Sequence, residues 1–132
     1  MAQWALDNPV GFITMGAAGG KRLAHKVDVD DLSKITHDPL LAQLRYRLRK
    51  HHGAARGDKR MSIQGVFSRE AVAPPDASCA IEGDGSLNCH GYGSVVSVTA
   101  TFGMCAASEI LNFLATPSCT FGAVISVLSG NS

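Results

Sequence analysis

The chain has 132 residues, of which 45% are hydrophobic and 17% charged. This length accommodates a single domain, and the apolar fraction excludes a wholly disordered chain. The formal net charge of +1 hides an uneven distribution. Residues 45–60 contain seven basic residues and one acid, whereas residues 85–132 contain one charged residue, Glu109.

The start of the chain and its cysteines bear on the compartment. Residues 1–10 lack the basic start and the long apolar run of a secretion signal, so we expect a cytoplasmic protein with free thiols. The four cysteines, Cys79, Cys89, Cys105 and Cys119, include no pair at zinc-binding spacing. We therefore predict no metal site.

Four elements are predicted at the start of the chain. A helix over residues 2–6 ends at a breaker cluster containing Pro9, and an apolar strand follows over residues 10–15. A glycine-rich loop over residues 16–20 leads to a half-buried strand over residues 25–30, in which apolar and charged side chains alternate. This order is typical of the back half of a β-α-β unit, so we expect the start of the domain to have been cut.

A second helix and a further strand are predicted next. Asp38 caps the helix, Pro39 occupies its first position, and Gly53 ends it. Leucines recur along it at three- and four-residue spacing, which indicates one buried stripe. A further strand lies within residues 61–72, and an irregular loop is predicted over residues 74–93.

The apolar stretch 94–115 has features of both a strand and a helix. Its β-branched residues favour a strand, but 22 residues without proline are too many for one. We predict one long helix, buried against the sheet and ended by Pro117. Its length approaches that of a membrane span, yet serines, threonines and Glu109 dilute its apolar character. We therefore predict a soluble core helix and no membrane association.

Five segments support a resemblance to a known family. They occur in one order along the chain: TMGAAGG at 14–20, VDVDDL at 27–32, HDPLL at 37–41, VFSRE at 66–70 and VTATFG at 98–103. This series resembles the C-terminal half of the tRNA threonylcarbamoyladenosine dehydratases, a branch of the ThiF/MoeB/HesA family of ubiquitin-activating-like adenylating enzymes. The resemblance covers roughly residues 2–115.

The resemblance implies an α/β fold, namely the C-terminal part of a Rossmann-like domain with a mixed sheet. Residues 1–116 would form this portion and residues 117–132 a divergent apolar tail. Enzymes of this family are homodimers that use ATP and Mg²⁺ to cyclise the threonylcarbamoyl group on a tRNA adenosine next to the anticodon. Their glycine-rich ATP loop and its polar partners lie upstream of the matched region. The resemblance therefore implies a truncated chain without catalytic residues of its own, which binds no ATP alone and whose missing half a separate chain would carry.

The basic segment is the candidate RNA-binding site. Arg45, Arg49, Lys50 and Arg56 would contact tRNA phosphates, and Tyr46 would either stack on a base or, as is more usual for an isolated tyrosine, pack against the protein. The competing interpretation is a solvated helix face. A stand-alone RNA-binding module without catalysis is the corresponding alternative function, and a small membrane-associated protein is another.

Two further candidates lie in loops. Gly16, Gly19 and Gly20 follow a strand at the edge where α/β proteins bind ligands, so they would line a pocket, shape a dimer contact or form a simple tight turn. Cys89 precedes His90 and is a candidate reactive thiol, although adjacent residues in an extended chain point to opposite faces.

Overall fold

A computed structural model of the chain describes residues 1–8, 10–72 and 93–116. Every predicted helix and strand within these residues is present. In chain order they are α1 (Ala2–Asp7), β1 (Ile13–Met15), a 3₁₀ turn (Ala24–Lys26), β2 (Val27–Asp31), α2 (Pro39–His51), β3 (Gln64–Ser68) and α3 (Val96–Ala115). The predictions for Cys79, Cys89, Cys119, the tail 117–132 and nearly all of the loop 74–93 lie outside the described residues.

The strands form a mixed sheet in the order β1-β3-β2. β1 runs parallel to β3, with Thr14 opposite Gly65, and β2 runs antiparallel to β3, with Val29 opposite Val66. The predicted α/β fold with a mixed sheet is confirmed. Because β1 and β3 are parallel, their carboxyl ends meet at one edge of the sheet. Within the described residues, β1 has a neighbour on one side only.

Apolar side chains cover both faces of the sheet, because neighbouring residues of a strand point to opposite sides. Phe67 packs on one side in a cluster that includes Leu41 and Leu48 of α2. Val66 packs on the other side against Val98 and Phe102 of α3. The two helices therefore lie on opposite faces, and truncating Phe67 to alanine is expected to cost about 3–5 kcal/mol.

Asp31 holds the end of β2 to the segment that leads into β3. Its side chain is buried, with Oδ1 accepting from the N–H groups of Ser33 and Met61 at 2.9 Å each and Oδ2 accepting from Ser62 N–H at 2.8 Å. Burial alone would raise the pKa of Asp31, but these donors outweigh it and hold the pKa below its usual value. Ser62 has a φ of 59°, a left-handed conformation that the carboxylate helps to fix.

The last helix packs against the sheet as predicted, but the burial expected of a core helix is wrong. Only 17% of the most apolar window of α3 is buried, namely around Val98 and Phe102. Four large apolar side chains on α3 are 64–77% exposed: Val96, Met104, Leu111 and Leu114. A helix packed on a sheet of three strands buries one side, and nothing within the described residues covers the other. By length and composition α3 also qualifies as a membrane-spanning segment, with a mean hydropathy of 1.3.

Candidate site at the carboxyl edge of the sheet

The glycine-rich loop follows β1 at the edge where β1 and β3 both end. Gly16 N–H donates to Val66 O at 2.9 Å, which continues the strand pairing by one residue. A Cβ atom at Gly16 would collide with the carboxylate of Asp38, and Gly20 has a φ of 73°, so both positions require glycine. Gly19 lies in the turn between them.

Asp38 ties this loop to α2. The side chain is 4% exposed; Oδ1 accepts from Leu41 N–H at 2.9 Å, and Oδ2 accepts from Ala17 N–H at 2.8 Å. The first bond is the predicted helix cap. The second joins two segments that are 21 residues apart, which the sequence did not indicate.

Lys21 is the most buried charged residue at this edge, with 1% of its surface exposed. Its Nζ donates to the carbonyl oxygens of His37 at 3.0 Å and Ser68 at 3.1 Å. Burial lowers the pKa of Lys21, and the nearby charges of Asp38 and Glu70 partly offset that effect. The ammonium group therefore joins the glycine loop to the segment before α2 and to the end of β3.

Glu70 fixes the backbone that follows Lys21. Its Oε2 accepts from Arg22 N–H at 2.9 Å and from Leu23 N–H at 2.8 Å. The hydrogen bond from Leu23, together with that from Arg22, lowers the pKa of Glu70 against a smaller opposing effect of desolvation. Sequence reasoning assigned Lys21 and Glu70 no role. The signal available was their position in two of the recognised strings, immediately after GG and within VFSRE.

The polar groups at this edge organise the backbone. The carboxylates of Asp38 and Glu70 accept from backbone amides, and the ammonium of Lys21 donates to carbonyls. Beside them lies a shallow cleft of about 360 Å³ between the start of α2 and the segment after β3. Its lining includes His37 and Arg45, and its volume falls in the range of small-ligand sites.

The glycine loop leads into the 3₁₀ turn at Ala24–Lys26 and then into β2. A phosphate-binding loop instead precedes a helix whose free amides face the ligand. The prediction that this loop runs into a strand is confirmed. Among the His, Cys, Asp and Glu side chains of residues 1–8, 10–72 and 93–116, no group is arranged to hold a metal ion. Cys105 of α3 is half-buried and packs against the cluster of Val66, Val98 and Phe102.

The four predicted RNA-binding residues separate into two pairs. Arg45 Nη1 donates to Leu32 O at 3.1 Å and to Ile35 O at 2.8 Å. Arg49 donates from Nε to Ala55 O at 3.0 Å and from Nη2 to Gly57 O at 3.1 Å. The side chains of Lys50 and Arg56 are exposed.

A mixed sheet with a helix on each face and a glycine loop after a parallel strand defines part of a ThiF-type, Rossmann-like α/β domain. No family model matches the chain. It is 37% identical over 109 residues to the tRNA threonylcarbamoyladenosine dehydratase of Haemophilus influenzae, covering 81% of this chain and 42% of that protein. It is also 37% identical over 113 residues to the Escherichia coli K12 enzyme, covering 79% of this chain and 42% of that protein.

Solved structures give the same result. The E. coli enzyme, TcdA, in complex with AMP matches with a TM-score of 0.67 and 31% identity, over 86% of this chain and 42% of that one. The same enzyme in complex with ATP matches with a TM-score of 0.67 and 30% identity, over 86% of this chain and 41% of that one. The chain is thus a partial homologue of tRNA threonylcarbamoyladenosine dehydratase, and it spans about two fifths of the length of these relatives.

Proposed function

We propose that the chain forms the tRNA-facing, C-terminal part of an ATP-dependent tRNA threonylcarbamoyladenosine dehydratase. The observation that carries the proposal is the match to TcdA in both sequence and structure, at 31% identity and a TM-score of 0.67 over 86% of the chain. In the proposed reaction, a carboxylate oxygen of the threonylcarbamoyl group displaces pyrophosphate from ATP. A nucleophilic atom of the carbamoyl group then attacks the activated carbon and loses its proton, and AMP leaves with the former carboxylate oxygen, so that the nucleoside loses the elements of one water.

ATP and Mg²⁺ are assigned to the part of the relatives that this chain does not match. A carboxylate is a poor electrophile, and the enzyme gains most by activating it and holding it in place. In the described residues, the glycine loop precedes β2 rather than a helix, and Lys21, Asp38 and Glu70 bind backbone groups. We therefore expect that the chain alone neither binds ATP nor cyclises the modified base, and we assign no catalytic role to its described residues.

We assign the free edge of β1 to pairing with the complementary half, namely the part of the relatives that this chain does not match. β1 is parallel to β3 and has no second neighbour within the described residues. A parallel edge with unpaired amides and carbonyls is a template for further strands. Met15, at the end of β1, is 51% exposed, and a strand added at this edge would cover it.

We assign the outer side of α3 to a second copy of the chain, which makes the assembly a dimer. Exposed apolar or small residues recur along it at four- and three-residue spacing, as in a helix-pairing seam: Val96, Ala100, Gly103, Ala107, Leu111 and Leu114. The large residues lie at the ends and the small ones in the middle. Two copies packed along this side would approach most closely at its centre, where a Cβ at Gly103 meets nothing within 4 Å in the single chain.

A cytoplasmic location follows from the proposed tRNA substrate. The membrane-associated alternative is less well supported, because α3 packs Val98 and Phe102 against the sheet. A non-catalytic RNA-binding module is the second candidate. It rests on the exposed cations Lys50 and Arg56, which require no ATP site to function, whereas the matches to the dehydratases support the first proposal.

Binding of tRNA by the purified chain tests the part of the proposal that concerns this chain directly. In a filter-binding assay, we expect affinity for unmodified tRNA that falls linearly with the logarithm of salt concentration, because phosphate contacts release counterions. Equal retention of tRNA and of an uncharged polymer of the same size, or no retention at low salt, would contradict the proposal.

A further inference from the structure

The outer surface of α2 combines an exposed aromatic ring with cations on one helical face. Gln43, Tyr46, Arg47 and Lys50 are all exposed, and their spacing of three and four residues aligns them along one side of the helix. Tyr46 is 61% exposed, and Lys50 Nζ lies 5.7 Å from the centroid of its ring. The inner side of the helix buries Leu41.

The loop after α2 extends this face with further cations. Arg49 reaches from the helix to the carbonyls of Ala55 and Gly57, so it anchors the loop against the end of α2. Gly53 and Gly57 adopt φ values of 62° and 68°, which allow the chain to turn back there. The exposed cations of the loop are Arg56, Lys59 and Arg60.

Stabilisation of the helix end explains only part of this pattern. Cations in the last turn offset the negative end of the helix dipole, which accounts for Lys50. It does not account for Arg47, one turn earlier, or for the loop cations. It also gives no reason to leave a tyrosine ring in water, since aromatic side chains gain most from burial.

We propose that this α2 face, comprising Gln43, Tyr46, Arg47 and Lys50 with the loop cations, binds an unpaired segment of RNA through a base stacked on Tyr46. The inference rests on the proposed function and deepens it, because it names single-stranded RNA as the feature recognised. An A-form duplex hides its bases from side chains, whereas an unpaired base offers a face for an aromatic ring. Lys50 covers one side of the Tyr46 ring, and a base stacks on the other.

The same geometry gives Arg45 and Arg49 a positioning role. Arg45 holds the segment before α2 through Leu32 O and Ile35 O, and Arg49 holds the loop that carries the cations. Substituting either residue would disturb folding and binding together. The informative substitutions are therefore those of Tyr46, Arg47 and Lys50.

Fluorescence anisotropy with two labelled RNAs tests the inference. One is a hairpin with an unpaired loop, and the other is a blunt duplex of the same number of nucleotides. We expect the hairpin to bind more tightly. Tyr46→Ala should weaken hairpin binding by roughly 10-fold, the loss of one stacked base, with little effect on the duplex. Tyr46→Phe should restore hairpin binding, because it keeps the ring.

Two double variants that remove the same amount of charge show whether RNA binding depends on this α2 face or on positive charge anywhere on the chain. Arg47→Gln/Lys50→Gln should lower the salt slope of hairpin binding by about 1.4, at roughly 0.7 per phosphate contact. Lys26→Gln/Lys34→Gln removes two exposed cations elsewhere and should leave the slope unchanged. All variants should retain the wild-type far-UV circular dichroism spectrum.

Two results would overturn the inference, and they differ in what they imply. If the wild-type chain binds RNA but Tyr46→Ala binds the hairpin as tightly, the inference fails and the proposed function stands. If the wild-type chain binds neither RNA, both fail.

Discussion

Asp38 is the residue whose substitution tests the geometry of the candidate site most sharply, because its carboxylate has two separable tasks. Oδ1 caps α2 through Leu41 N–H, and Oδ2 accepts from Ala17 N–H in the glycine loop. Asp38→Ser keeps a capping oxygen on a side chain too short to reach Ala17. Asp38→Ala removes both interactions.

The expected costs follow from these two bonds. Loss of a helix cap costs about 1 kcal/mol. The hydrogen bond from Ala17 N–H is part-buried and has a charged acceptor, and the loss of such a bond costs about 1.5–3 kcal/mol. We therefore expect Asp38→Ser to lower the free energy of unfolding by about 2 kcal/mol and Asp38→Ala by about 3 kcal/mol, because only the second also loses the cap. Asp58→Ser, at an exposed loop position, should change it by less than about 0.5 kcal/mol.

Urea denaturation followed by far-UV circular dichroism measures these differences. The account requires the order wild type, Asp38→Ser, Asp38→Ala in decreasing stability. If Asp38→Ser were as stable as the wild type, the bond to Ala17 would contribute nothing. If the serine and alanine variants were equally stable, the helix cap would contribute nothing.

Three further predictions concern pH, ATP and association. Because the pKa of Asp31 is held below its usual value of 3.8, its contribution to stability is complete above that value and is lost as pH falls through the folded-state pKa. Melting temperature should therefore fall more steeply in acid for the wild type than for Asp31→Asn; equal slopes would contradict this. Isothermal titration of the chain with ATP and Mg²⁺ should give no binding heat, and micromolar binding would refute the assignment of ATP to the complementary half. Leu111→Glu/Leu114→Glu on the outer side of α3 should convert the proposed dimer to a monomer in light scattering, and an unchanged mass would exclude that surface.

Local signals predicted the local structure well. The start of α2 was predictable because the helix cap is local in sequence. Asp38 accepts from Leu41 N–H, three residues on, and Pro39 occupies the first helical position. The kind of each strand was predictable from alternation and apolar runs, as with Val27 and Val29 in β2. Strand boundaries shifted, because the pairing of β1 with β3 covers only three residues.

Tertiary contacts explain what the sequence did not reveal. The sequence predicts one basic surface over residues 45–60, but Arg45 binds backbone carbonyls before α2 and Arg49 binds carbonyls in the loop after it, which no spacing within α2 indicates. Lys21 is buried between the segment before α2 and the end of β3, whose contact residues lie 16 and 47 positions away in the sequence. The apolar composition of α3 predicted burial, yet composition does not identify the surface that covers each side of a helix.

Reconstitution of the complete reaction tests the central claim most directly. The chain is co-expressed with the part of E. coli TcdA that lies outside the match, and the purified pair is incubated with ATP, Mg²⁺ and tRNA that carries threonylcarbamoyladenosine. Mass spectrometry of the digested nucleosides follows the loss of one water. The account predicts that the two polypeptides co-purify and form the cyclic product only together with ATP, whereas each polypeptide alone forms none. Cyclic product from this chain alone, or none from the co-purified pair under conditions in which intact TcdA is active, would contradict it.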